Sequence, residues 1–276
     1  MAIQRPAQEA IDRLEKAVRG SKRSQSVRLP LGFARDQQQK APTPPLAELM
    51  RGGGEVRLKV FLTTLMMATK APHSRKVASK DMAAMLNLRD VERAGARRAS
   101  KAFADLEVRS LVRIDRKPGY VPTTTVLDPA GAGKEWDALK LKGAYITLPI
   151  ALWRRGWFIA LSGRALALLI ILRELTQSRA ATGAWVDGIR KRQYGLSDDT
   201  WTRGTQELRD AGLLEVREDV YSSQGEPRRR NVYKLRLERL DEFDPGGFEE
   251  WRDADGARRN SPGMLIEVPH SGRVSL

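Results

Sequence analysis

"LSDDTWTRGTQELRDAGLLEV", residues 196–216, decides how the rest of this chain reads. Trp201, Gly204, Thr205 and Leu208 have the i, i+3, i+4, i+7 spacing of one helix face. Ser197 stands where an N-cap belongs, which puts Asp198 and Asp199 in the first turn, where the helix dipole favours negative charge. The opposite face then presents Asp199, Thr202, Arg203, Gln206 and Arg209. Beyond the helix, "LLEVREDVYS" and "NVYKLRL" alternate apolar and polar residues as antiparallel strands do. "SQGEPRRR" (223–230) joins them as a loop ending in Arg228, Arg229 and Arg230.

Working upstream, "DGIRKRQYGLS" (187–197) predicts a helix that closes at Gly195, and "GAWV" (183–186) a short strand. "SGRALALLIILRELTQ" (162–177) predicts a helix capped by Ser162 and apolar nearly all round, central to the core or to a subunit interface. "YITLP" (145–149) is strand-like. The order is helix, helix, turn, helix, strand, basic loop, strand.

A looser copy precedes it. "EVRLKVFLTTLMMATKA" (55–71) is an opening helix, "SKDMAAML" (79–86) a second one capped by Ser79, and a third ends at "SKAFADLEVRS" (100–110). "LVRIDR" and "YVPTTTVL" are the strands around a "KPG" turn. Ala99, Ala102, Phe103 and Leu106 repeat the inward quartet, leaving Arg97, Arg98 and Lys101 outward, with Asp105 a turn further on. Arg116 and Lys117 stand at the turn. The expected organisation is a helix and flexible basic arm (1–50), a first unit (51–128), a linker (129–142), a second unit (143–240) and a tail (241–276). The helix at 7–19 sets Ile11, Leu14 and Val18 on one face.

Composition narrows the function. The net charge of +15 calls for a polyanionic partner, since counterion release drives binding to phosphate backbones. No cysteine is present, which excludes disulfides and thiolate chemistry within the chain. The longest apolar run, 165–172, falls far short of the roughly 18 residues that span a bilayer, so no membrane is expected. The first twenty residues mix acids with bases around no apolar core, so no secretory signal is expected either. "DPAGAGKEW" lacks the first glycine and the Ser/Thr of a phosphate loop. The two histidines, His73 and His270, read as surface residues. With no nucleophile elbow and no metal-ligand spacing, the expectation is no enzyme, no metal and no cofactor.

"YGLSDDTWTRGTQELRDAGLLEV" (194–216), followed by strand, "SQGEPRRR" and strand, resembles the winged helix-turn-helix superfamily of DNA-binding domains. The resemblance implies a mainly α fold with small β wings, an α+β class, built as two tandem domains. It implies double-stranded DNA as partner, with Arg203 reading guanine, Gln206 adenine, and Thr202 a phosphate or thymine methyl. Asp199 can accept from cytosine, while the wing arginines grip the backbone or enter a minor groove. Arg97, Arg98 and Lys101 add affinity. The expected role is transcriptional regulation in a bacterial cytoplasm, in association with the nucleoid. The alternatives are a replication initiator or partition protein of a plasmid or mobile element, and a protein-interaction scaffold. The apolar opening helices and the N-terminal helix are candidates to build a homodimer.

Overall fold

The computed structural model describes residues 3–36, 43–137, 144–177, 179–223 and 226–245. The chain starts with α1 (Gln8–Ser21), whose buried face carries the expected Ile11, Leu14 and Val18. The described part of the supposed flexible arm is ordered, correcting the expectation. It holds β1 (Ser26–Pro30) and α2 (Leu31–Ala34), with Val27, Leu29, Phe33 and Ala34 fully buried. The two apolar positions of β1 are enough to seat it, although Ser, Gln and basic neighbours hide them.

Next come α3 (Pro45–Met50), with proline at its start, and α4 (Glu55–Met67). Leu58 to Met67 of α4 are buried on every side. The last carbonyls of α4 would be orphans at a helix end. Arg23 donates to Met66 O and Leu65 O, and Arg75 donates to Met67 O. His73 is buried too, its Nδ1 3.1 Å from Ala68 O, rather than on the surface as expected; His270 lies outside the described residues.

β2 (Ser74–Lys76) leads to α5 (Ser79–Met85). Ala78, not Ser79, occupies the cap position, because Ser79 has already entered the helix and its hydroxyl caps nothing. A π-helical turn, Val91–Gly95, feeds α6 (Ala96–Val108), followed by β3 (Val112–Asp115) and β4 (Thr123–Val126). In the described part of the expected linker, residues 130–135 are exposed, while Leu127 bridges Glu135 and Trp136 is buried.

β5 (Tyr145–Pro149) pairs antiparallel with β1, Leu29 opposite Ile146. Two short helices, α7 (Ala151–Arg154) and α8 (Trp157–Ala160), precede α9 (Gly163–Thr176). Ser162 caps α9 through Ala165 N, as its position predicts. Then follow β6 (Ala184–Trp185), α10 (Gly188–Gln193), α11 (Asp198–Asp210), β7 (Leu214–Ser223), β8 (Glu226–Leu235) and α12 (Arg239–Glu242). The described start of the expected tail packs back, with Leu240 buried and Trp157 Nε1 donating to Phe243 O at 3.1 Å.

The fold is a mixture of helices and small sheets. Its two three-stranded sheets run β2-β4-β3 and β6-β8-β7, so each places its last strand in the middle. The order helix, short strand, helix, helix, hairpin occurs twice. One continuous core extends from Leu14 through both repeats to Leu240. Where α4 meets α9, a Cβ on Gly163 would stand 2.8 Å from Glu55 Cα. Lys59, buried beside this contact, donates to Glu55 at 2.7 Å and to Ile159 O at 3.0 Å. The opening helices expected to build a homodimer are therefore consumed inside one chain.

Candidate nucleic-acid interface

α11 owes its position to three devices. Ser197 caps it, its hydroxyl accepting from Thr200 N at 3.2 Å. Trp201 wedges between Tyr194 and Tyr233, with ring centroids 6.3 and 6.1 Å away. Glu207 reaches the start of α9, accepting from Ser162 N and from the Ser162 hydroxyl. A buried cluster fixes the preceding helix, α10. Tyr194 donates to Glu174, which also accepts from Arg190 at 2.8 Å and lies 3.4 Å from Arg35. Burial, followed by the hydrogen bond to the Glu174 carboxylate, pushes the Tyr194 hydroxyl well above its ordinary range.

The outward residues expected on α11 all lie exposed together: Asp199, Thr202, Arg203, Gln206 and Arg209. They are not all free. Arg203 Nε donates to Asp199 at 2.7 Å, and Gln206 donates to Asp210 at 2.7 Å. Lys191 holds Asp198, and this hydrogen bond lowers the Asp198 pKa. Exposed pairs four residues apart are worth only about 0.3–0.5 kcal/mol. They steer Arg203 and Gln206 without locking them away from a stronger partner.

α6 presents a different surface. Asp90 caps the π-helical turn through Ala94 N at 3.1 Å, and Ala99, Ala102, Phe103 and Leu106 face inward as expected. Arg97, Arg98 and Lys101 are exposed as expected. Asp105 instead turns sideways to Arg57, 3.3 Å away. Sequence reasoning missed Arg93, which extends Arg97 and Lys101 backward at four-residue spacing, and the exposed Arg89 and Arg113. The four-residue spacing is present in the sequence, but no local signal marks the π-helical turn that carries Arg93 into α6. Among the described residues no carboxylate pairs with Arg93, Arg97 or Lys101. Arg98 sits near enough to Glu55 to help lower that carboxyl's pKa.

The hairpins divide their cations. In β3–β4, Arg116 is tied to Glu107 at 2.7 Å, and Glu107 also accepts from Ile114 N at 3.0 Å. The hydrogen bond from Arg116 is the main reason that the Glu107 carboxyl titrates below its ordinary range. Lys117 is exposed at the turn. In β7–β8, Arg228, Arg229 and Arg230 are strand residues opposite Tyr221, Val220 and Asp219, not the loop expected from the sequence. The reason is that strand pairing continues outward to Ser223 and Glu226, past the three arginines. Arg229 pairs with Glu218 at 3.0 Å. Arg230 pairs with Asp219 at 2.8 Å and lies over the rings of Trp185 and Tyr221, 5.0 and 4.7 Å from their centroids. Arg228 alone of the three has no carboxylate partner among the described residues.

The outcome is an unequal pair of faces. That of α6 is an unneutralised cationic stripe, while that of α11 mixes acids, amide and guanidinium groups that hydrogen-bond one another. Among the described residues no group of three or more His, Asp or Glu side chains is placed to hold a metal ion, and no helix is long and apolar enough to cross a membrane. Comparison with family models, curated proteins and solved structures found no match for the chain.

Proposed function

We propose that this chain is a tandem winged-helix protein that binds double-stranded DNA with sequence preference and regulates transcription. One observation carries the reading. The repeated order of elements, with the same sheet order in both copies, sets an exposed helix face beside a hairpin twice in one chain. A helix supported in this way fits a major groove, and the adjacent hairpin reaches the neighbouring backbone.

The two copies do different work. α6 and the π-helical turn before it, whose Arg93, Arg97 and Lys101 have no carboxylate partner among the described residues, supply phosphate contacts that hold any sequence. α11 selects, because Arg203 and Gln206 can each make two bonds to a purine edge. The Asp199 carboxylate adds to this selection. It discourages Arg203 from settling on a phosphate, since a phosphate would bring a second negative charge beside Asp199.

The test is binding to a duplex selected from genomic fragments, measured against salt concentration. Replacing Arg97 and Lys101 by alanine is expected to weaken all duplexes alike and to reduce the slope of log affinity against log salt by about 2. Arg203→Ala is expected to cost about 1–3 kcal/mol at one base position only. Equal losses on every sequence for both variants would refute the division, and retention on no duplex would refute DNA binding. Bound fragments lying at promoters support regulation, whereas repeated sites beside an origin would assign the chain to replication initiation.

A further inference from the structure

Tyr120 and Val121, adjacent at the tip of the β3–β4 hairpin, leave 74% and 45% of their surfaces exposed. The turn that carries them is stiff. Tyr120 N donates to Lys117 O at 3.0 Å, Pro118 follows Lys117, and Gly119 takes φ +78°. That is a type II turn with its preferred proline and glycine in place. Pro122 restricts the returning limb, and Glu107 ties the outgoing limb to α6 through Ile114 N and Arg116. An aromatic ring and a branched side chain are thus held out in water on a rigid tip. Lys117 stands beside them, and Arg97 and Lys101, without a carboxylate partner among the described residues, lie on the helix to which the hairpin is tied.

We propose that Tyr120, backed by Val121, enters the minor groove next to α6 and wedges apart one base step. The inference rests on the DNA-binding reading above and extends it to a specificity-determining residue. Three features of the tip suit that occupant. Lys117 matches a phosphate on one rim of the groove, the apolar side chains match the sugar walls and base faces, and the stiff turn leaves little conformational freedom to lose on insertion. An exposed apolar tip beside Lys117, on the hairpin tied to cationic α6, is poorly matched to an apolar protein surface. A wedge of this kind reads deformability rather than base edges: it favours pyrimidine–purine steps, which unstack readily, over rigid A-tracts.

The experiment uses the full chain and its selected duplex, labelled at both ends so that bending brings the dyes together. Wild type and Tyr120→Phe are expected to bend the duplex, because the ring and not the hydroxyl acts. Tyr120→Ala is expected to melt at the wild-type temperature, to bind about tenfold more weakly and to leave the duplex straight. Replacing the pyrimidine–purine step under the tip by an A-tract step should weaken wild type about tenfold and leave Tyr120→Ala unchanged. A Tyr120→Ala chain that still bends and holds the duplex as wild type does would overturn the wedge, as would equal weakening of both chains by the step change. Retention of wild type on no duplex at all would overturn DNA binding and the wedge together, so the two failures are distinguishable.

Discussion

Gly204→Ala and Gly20→Ala place the same methyl group in two helices, and the packing gives them opposite signs. Gly204 is the point at which α11 crosses α9. A Cβ there would stand 2.9 Å from Arg164 O and 3.2 Å from Leu168 Cβ. Ordinary contact needs about 3.5 Å, so one helix must retreat by about 0.6 Å. The carbonyl belongs to helix backbone and cannot swing aside as a side chain would. Alanine gains about 1 kcal/mol over glycine in helix propensity, but overpacking a core contact costs about 1–3 kcal/mol. The clash wins, and Gly204→Ala should lower stability by about 1 kcal/mol, or roughly 2 °C in melting temperature for a chain of this size. Gly20, near the end of α1, has nothing within 4 Å of its would-be Cβ. Its replacement keeps only the propensity gain, about 0.5 kcal/mol in a last turn. Paired urea titrations should show midpoints moving in opposite directions with unchanged slopes. Equal stabilisation by both substitutions would refute the close approach of α11 to α9. If α11 does retreat, Gly204→Ala should also weaken binding to the selected duplex more than to random duplex, because the helix proposed to select is the one displaced.

Two further outcomes concern buried and paired ionisable groups. Tyr194→Phe removes a donor from the buried Glu174 carboxylate, and an unmet buried acceptor costs about 1–3 kcal/mol, measurable by denaturant titration. Because the native Tyr194 pKa is raised, its contribution is whole below the unfolded value near 10 and declines as pH rises beyond it. Absorbance titration should therefore find one tyrosine that ionises only on unfolding. At the acid end, burial pushes Glu55 up, but Lys59 outweighs this and holds its pKa down, as Arg116 does for Glu107. Depressed carboxyl groups stabilise the fold above their unfolded pKa, about 4.3, and lose that contribution as pH falls through their lower folded values. Melting temperature should drop on acidification below about pH 4, with a shallower drop in Glu107→Gln; an identical profile in that variant would refute the role of the Glu107–Arg116 pair.

What could be read in the sequence was whatever a short window determines. The face of α1, the caps at Ser162 and Ser197, the inward quartets of α6 and α11 and both hairpins follow from local period and turn chemistry. β1 did not, because Val27 and Leu29 gain their meaning from Leu148 and Ile146, far along the chain. The same limit applied to the candidate interface. Which cations lie outward could be read from helical spacing, but not which of them are engaged. Arg116 meets Glu107 and Arg230 meets Asp219 only once the hairpins have formed.

That distinction changes what the net charge of +15 means. Many of the positive residues serve the fold rather than a partner. Arg23 and Arg75 close the end of α4, Arg173 donates to Thr147 O at 3.1 Å beside the β1–β5 pair, and Arg35 and Arg190 surround buried Glu174. Burial lowers the pKa of both Arg23 and Arg173, which marks them as partly desolvated groups engaged with backbone carbonyls of the fold. The charge available to a polyanion is smaller than the total and unevenly placed, strongest where Arg93 of the π-helical turn and Arg97 and Lys101 of α6 lie exposed. On the proposed reading, a helix that only had to hold DNA would need no acids, and Asp105, the acid that continues the stripe, is turned aside to Arg57. A helix that must refuse most sequences gains from them, and α11 opens on Asp198 and Asp199. On the proposed DNA-binding reading, Asp199, which already holds Arg203, keeps that guanidinium off the backbone, where every sequence looks the same, while Asp198 holds Lys191.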